Sequence, residues 1–146
     1  MKKIGANNKG FTLIELMIVL AILALLAALV GPRLMGQFDK AKVDDAKVQI
    51  RNLETALKLY KIENSAFPST EQGLQALLEK PTVGVIPKNY RAEGYLEGKK
   101  VPKDPWGNDF IYISPGEHGD FDLSSYGGDG ARGGEGNNAD IESWNL

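Results

Sequence analysis

From Phe11 to Val30 the chain is apolar at nearly every position, and Glu15 is the one charged residue in the run. Twenty such residues coil into about 30 Å of α-helix, the thickness of a bilayer core. Beyond the run the pattern changes. Leu34, Phe38 and Ala41, then Ile50, Leu53, Leu57 and Tyr60 recur at spacings of three and four, which places them on one helical face. Lys40, Lys42, Asp44, Lys47, Arg51, Glu54, Lys58 and Lys61 fall on the other. The spacing predicts one long helix from about Phe11 to about Ile62, roughly 78 Å at about 1.5 Å per residue. Residues 11–30 face lipid or partner helices, and residues 31–62 bury their stripe against the chain's own domain. Gly31 and Pro32 interrupt this helix, because proline lacks an N–H and crowds the carbonyl of Ala28. The pair predicts a kink, or a stretch around Leu26–Met35 that loosens on assembly.

Residues 63–146 read as a small globular domain. Ser69 and Gln72 have capping-box spacing at the head of a short helix, Thr70 to Glu79, whose apolar edge is Leu74, Leu77 and Leu78. Two β-prone runs, Asp109–Ser114 and Asp120–Ser125, are joined by Pro115-Gly-Glu-His-Gly119 and predict a hairpin. Gly94-Tyr95-Leu96 supplies a candidate third strand. The fold class is α+β: a long helix packed on a small antiparallel sheet. Asp104-Pro-Trp-Gly-Asn108 is a tight turn, with Trp106 offering a large surface to bury.

Charge and composition narrow the function. Seventeen basic and nineteen acidic residues leave a net charge of −2, which excludes a nucleic-acid binder built on bulk positive charge. There is no cysteine, hence no disulfide, thiolate metal site or cysteine nucleophile. The single histidine, His118, lies between glycines in a solvated turn. No serine, histidine and acid form a recognisable set, and no phosphate-binding glycine loop precedes a helix, so the chain reads as a non-enzyme. The first ten residues carry Lys2, Lys3 and Lys9 and no acid, which keeps this end cytoplasmic. Ala28-Leu29-Val30 is a poor signal-peptidase site, and Gly31-Pro32 follows it at once. A plain anchor leaves Glu15 unexplained, since a carboxylate in hydrocarbon costs roughly 2.5–3.5 kcal/mol.

Gly10-Phe-Thr-Leu-Ile-Glu15 resembles the class III leader of type IV pilins and pseudopilins. The resemblance implies that residues 1–10 are a leader, cut after Gly10 by a prepilin peptidase, and that the new terminal Phe11 is N-methylated. Losing three lysines would take the side-chain charge from −2 to −5. It also implies a partner for Glu15, the α-ammonium of Phe11 on an adjacent subunit. Phe67–Pro81, Lys100–Tyr112 and Ser114–Gly130 resemble the major pseudopilins of type II secretion systems. That similarity implies a subunit held by a single pass in the bacterial inner membrane, with its C-terminal domain in the periplasm. It polymerises into a periplasmic filament that drives export of folded proteins. Minor pseudopilins, an inner-membrane assembly platform, the prepilin peptidase and membrane lipid are the implied partners. A type IV pilin for adhesion or motility is the near alternative, disfavoured by the missing cysteines. A non-assembling, membrane-anchored calcium-binding module is the distant one.

The tail from Tyr126 is rich in glycine and carries Asp129, Glu135, Asn137, Asn138 and Asp140 before an apolar close at Ile141 and Trp144. By composition it is a flexible segment or a loop able to wrap calcium, which takes six to eight oxygens. It is not an EF-hand, since Ala131 and Gly133 occupy ligand places. A lone β-roll repeat is also a poor match, with Asn138 in place of aspartate and no array. The family resemblance implies a structural calcium within about residues 126–143. Asp129, Asp140 and the backbone carbonyl of Tyr126 are its implied ligands, with Ser143 and Asn138 as further candidates.

Overall fold

The structure is a computed structural model that describes residues 10–146, the side chains of residues 32–34 excepted. The expected leader thus lies outside the described residues except for Gly10, as does the side chain of Leu34. The chain divides into two units, one through Phe38 and one from Asp39 to Leu146.

Helix α1 spans Leu13–Asn64. In the first unit its large apolar side chains are open, from 47% exposed at Val19 to 79% at Leu13. Among the described residues α1 is the one helix long and apolar enough to cross a membrane. It is helical through Gly31 and Pro32, so the interruption read from the sequence is not a break in this single chain.

In the second unit α1 buries Ala46, Ile50, Leu53, Leu57 and Tyr60, a face spaced by four, three, four and three. These residues share one core with Leu74, Leu77, Phe110, Tyr112, Leu123 and Ile141. The expected stripe begins later than predicted: Phe38 is 65% exposed, and burial starts with Val43 and Ala46. The helix ends where Ser65 takes a left-handed φ of 67° and donates its N–H to the carbonyl of Lys61 at 2.7 Å.

Three strands form an antiparallel sheet in chain order: β1, Ile111–Ile113; β2, Asp122–Ser125; and β3, Ile141–Glu142. Tyr112 faces Leu123 across the first pair, and Ser125 faces Ile141 across the second. The expected hairpin is therefore present, but the third strand is not Gly94–Leu96. Those residues instead lie against the end of a short 3-10 helix, where the N–H groups of Tyr95 and Leu96 both donate to the carbonyl of Leu77, at 2.6 and 3.2 Å. Gly94 makes that approach possible: a Cβ there would stand 2.8 Å from the carbonyl oxygen of Leu78.

The predicted helix Thr70–Glu79 is also corrected. It is a turn followed by a 3-10 helix, Leu74–Leu77. The capping box forms, with Ser69 N–H donating to Gln72 Oε1 at 3.0 Å and Gln72 N–H to Ser69 Oγ at 3.3 Å. Two features stop an α-helix from following. Gly73 sits at φ 60°. The Gln72 amide also donates away from the turn, to the carbonyls of Val83 and Val85 at 2.7 and 3.0 Å.

Candidate functional site

Two regions carry the candidate residues: the start of α1 and the glycine-rich loop. At the helix start, Thr12 precedes the first helical residue and Glu15 is the third. Thr12 N–H and Thr12 Oγ both donate to Glu15 Oε2 at 2.8 Å, and Glu15 N–H returns to Thr12 Oγ at 3.3 Å. This is a capping box: side chain and backbone satisfy each other's orphan groups, and the carboxylate sits at the positive end of the helix dipole. Both bonds from Thr12 land on Oε2, and Oε1 receives neither. The Thr-x-x-Glu spacing of Thr12–Glu15 carries this signal in the sequence. Gly10 and Phe11 lie just outside the helix, both exposed.

The glycine-rich loop is built on the Asp104–Asn108 turn. Asp104 is buried and collects the turn through Oδ1, which accepts from the N–H of Trp106 at 3.1 Å and of Asn108 at 2.7 Å. Its Oδ2 accepts from Ser125 Oγ at 2.6 Å, and Ser125 Oγ in turn accepts from Gly127 N–H. From the same turn, Trp106 Nε1 donates to Asn137 Oδ1 at 2.9 Å, and Asn108 Nδ2 donates to the carbonyl of Gly127 at 3.0 Å. The structural role expected for Trp106 therefore has a specific target, the loop. Sequence reasoning missed Asn108 and Asn137, whose partners lie 19 and 31 residues away.

Within the loop, backbone lies on backbone. A Cβ on Gly127 would meet the Ala139 carbonyl oxygen at 2.8 Å, and one on Gly134 would meet that of Asn138 at 2.4 Å. The segment is folded on itself rather than being an open linker.

The expected calcium ligands are only partly gathered. Asp140 and Tyr126 line one cleft of about 100 Å³ together with Arg132 and Glu142. Asp129 caps its own turn, accepting from Ala131 N–H at 3.0 Å. Asn138 brings its Oδ1 to 2.9 Å from where a Cβ on Gly128 would stand. Ser143 is already committed to the sheet, its Oγ accepting from Leu123 N–H at 3.2 Å. Among the described residues no three His, Asp or Glu side chains form a metal cluster. One observation fits a cation. Asp140 Oδ2 accepts from Gly133 N–H at 2.9 Å, while Oδ1 is buried with no hydrogen-bond partner. An ionised oxygen left so is costly unless a positive charge answers it.

His118 is more than a solvated turn residue. Its ring stacks on Trp144 at 4.1 Å and lies 2.9 Å from Asp122 Oδ2 through Nδ1. Asp122 also accepts from the N–H groups of Glu117 and His118. Burial pushes its carboxyl up, but these bonds outweigh it and hold Asp122 below the usual carboxylate range. Asp122 thus organises the β1–β2 loop and, through His118, holds Trp144 against it.

Comparison with known proteins follows the same division of the chain. The family model described as Type II secretion system (T2SS), protein G matches residues 33–144. A Prokaryotic N-terminal methylation motif matches residues 5–31. The type II secretion system core protein G of Pseudomonas aeruginosa is 54% identical over 138 residues, covering 94% of this chain and 96% of the relative. The protein of the same name from Vibrio cholerae is 50% identical over 146 residues, covering 100% of this chain and 97% of the relative. Among solved structures, the major pseudopilin of the type 2 secretion system of enterohaemorrhagic Escherichia coli superposes with a TM-score of 0.68. It is 43% identical and covers 79% of this chain and 96% of its own. The long apolar helix, the three-stranded sheet and these matches agree: the chain belongs to the type II secretion system protein G family, the major pseudopilins.

Proposed function

We propose that this pseudopilus subunit is cut after Gly10, N-methylated at Phe11 and held by α1 in the bacterial inner membrane. From there it polymerises into the periplasmic filament that drives export of folded proteins. Prepilin peptidase, minor pseudopilins and an inner-membrane assembly platform are its partners, and its role is structural rather than catalytic. The observation that supports this reading is the helix start. Glu15 closes the capping box with one oxygen and keeps Oε1 for a cation. Cleavage after Gly10 would create one nearby, the α-ammonium of Phe11 on an adjacent subunit. Burying either charge alone is unfavourable, so the pair favours subunits held in register.

Capping and pairing are separable. Glutamine at the third helical position preserves a capping box but carries no charge. Glu15→Gln should therefore insert, mature to a methylated Phe11 and yield no filament, as judged by N-terminal mass spectrometry and by filament counts in electron micrographs. Wild-type filaments from Glu15→Gln would overturn the ion-pair role. If only Glu15→Ala failed, the residue would act as a cap alone.

A structural calcium is the second part of the reading, supported by the unanswered Asp140 Oδ1 in a loop closed on itself. Asp140, Asp129 and the Tyr126 carbonyl would hold it, with Asn138 a further candidate and Ser143 less available. The ion would supply fixed positive charge that clips the loop. Saturation to one hundred times Kd adds about 2.7 kcal/mol. EGTA should then lower the melting temperature of the detergent-solubilised chain, and Asp129→Ala should remove that sensitivity. An unchanged melt would sink the calcium assignment.

A further inference from the structure

Two apolar features have no partner among the described residues. One is a groove of about 570 Å³ at the end of the second unit where α1 terminates. Tyr60, Phe67 and Pro87 line it, and Val85 and Ile86 stand on its lip, Val85 with 88% of its surface exposed. The lip is held in place from below, because the Gln72 amide binds the carbonyls of Val83 and Val85. The other feature is on α1, where Met35 and Phe38, three residues apart and hence on one side of the helix, are both exposed. They follow the apolar run, outside the span that about 20 residues of lipid contact would cover. An exposed phenylalanine beside an exposed methionine offers the larger part of about 200 Å² to a partner.

One opposite-charge pair is available between the two features, with Glu71 also in the groove lining and Lys40 after Asp39. Lys88 belongs to the groove lining and is exposed. Asp39, directly after Phe38, is exposed as well. They are also far apart along the same helix. Asp39 and Tyr60, both in the second unit, are 21 residues apart, about 32 Å of helix rise. A second copy displaced along the filament by roughly that distance can bring its Phe38 to the groove of the first. A contact between two different patches of one chain is heterologous, and a heterologous contact that does not close into a ring propagates as a helix. That is the form of assembly a pseudopilus needs.

We infer that the groove at the end of α1 receives Met35 and Phe38 of another copy of this chain, with Lys88 of the first meeting Asp39 of the second. This contact rests on the filament reading above, but it lies outside the apolar run and does not involve Glu15.

The chain has no cysteine, so a designed pair reports cleanly. Phe38→Cys with Val85→Cys, in the full-length chain expressed beside its secretion machinery, should give under mild oxidation a ladder of dimers, trimers and longer species. Each single variant should give no cross-linked species. Val85→Asp should cut filament yield at least tenfold without moving the melting temperature of the solubilised monomer, because Val85 is open there. Lys88→Asp should thin the ladder severalfold, and Asp39→Lys should restore it. Filaments at wild-type yield from Val85→Asp would overturn the contact, as would abundant filaments without a ladder from the cysteine pair. Dimers from Phe38→Cys alone would overturn it too, by showing a symmetric contact in its place. Loss of filaments from the unmodified chain would instead sink the filament reading itself.

Discussion

Asp104 shows how much one buried carboxylate can organise. Three donors converge on its two oxygens, two from its own turn and one from β2, and through Ser125 the network reaches Gly127 at the mouth of the glycine-rich loop. Alanine in its place would strand two backbone N–H groups and one hydroxyl. Asp104→Ala should cost about 3 kcal/mol, read as a fall in the denaturant midpoint. Asp104→Asn should cost distinctly less, because the amide keeps an acceptor oxygen for the turn. At the same scale Glu15 changes meaning. Counted as a charge in an apolar run it is a misfit, whereas counted from Thr12 it completes a helix cap. The Thr-x-x-Glu spacing is present in the sequence, but the transfer cost of a carboxylate in hydrocarbon is the larger signal at that position.

Among the elements, legibility followed the length of the periodic pattern. α1 and the β1–β2 hairpin could be read because six buried helix positions at helical spacing and two β-prone runs flanking a glycine-rich turn carry their signal. β3 could not, since Ile141–Glu142 is two residues long and exists only because the glycine-rich loop returns it to β2. The segment after Ser69 had the right cap and the wrong continuation, because a side chain, Gln72, was already bonded to residues 11 and 13 positions ahead. The cleft shared by Tyr126 and Asp140 was legible only through family resemblance. Composition alone left a flexible tail equally open. The end of α1 offers a test at this scale. Ser65 holds a left-handed φ of 67° that favours glycine. Ser65→Gly should raise stability by up to about 1 kcal/mol, and a thermal melt that falls would show that the serine side chain matters more than its backbone.

Taken whole, the second unit surrounds α1 with aromatic residues as much as aliphatic ones. Tyr60, Tyr90 and Tyr95 meet edge to face, with centroids 5.1–6.3 Å apart. Burial pushes the phenols of Tyr90 and Tyr112 up to about 12. Below pH 10 both are neutral whether the chain is folded or not. Above it the unfolded chain, with tyrosines near their ordinary value of 10.0, sheds protons first, so stability is lost as the pH rises towards 12. Alkaline titration followed by tyrosinate absorbance should show two phenols ionising late and together with unfolding. Early, independent ionisation would mean that the tyrosine cluster opens without the rest.

The clasp between Trp106 and Asn137 has an optical consequence. The chain has two tryptophans, and both touch the region of the glycine-rich loop: Trp106 donates to Asn137 inside it, and Trp144 stacks on His118 just after it. Neither indole lies on α1. The tryptophan fluorescence of the intact protein, excited where tyrosine does not absorb, is therefore a label-free gauge of this one corner, blind to the helix. Ion binding and chelation can each be followed by the colour and yield of that emission, with Trp106→Phe separating the signal of the clasp from that of the stack.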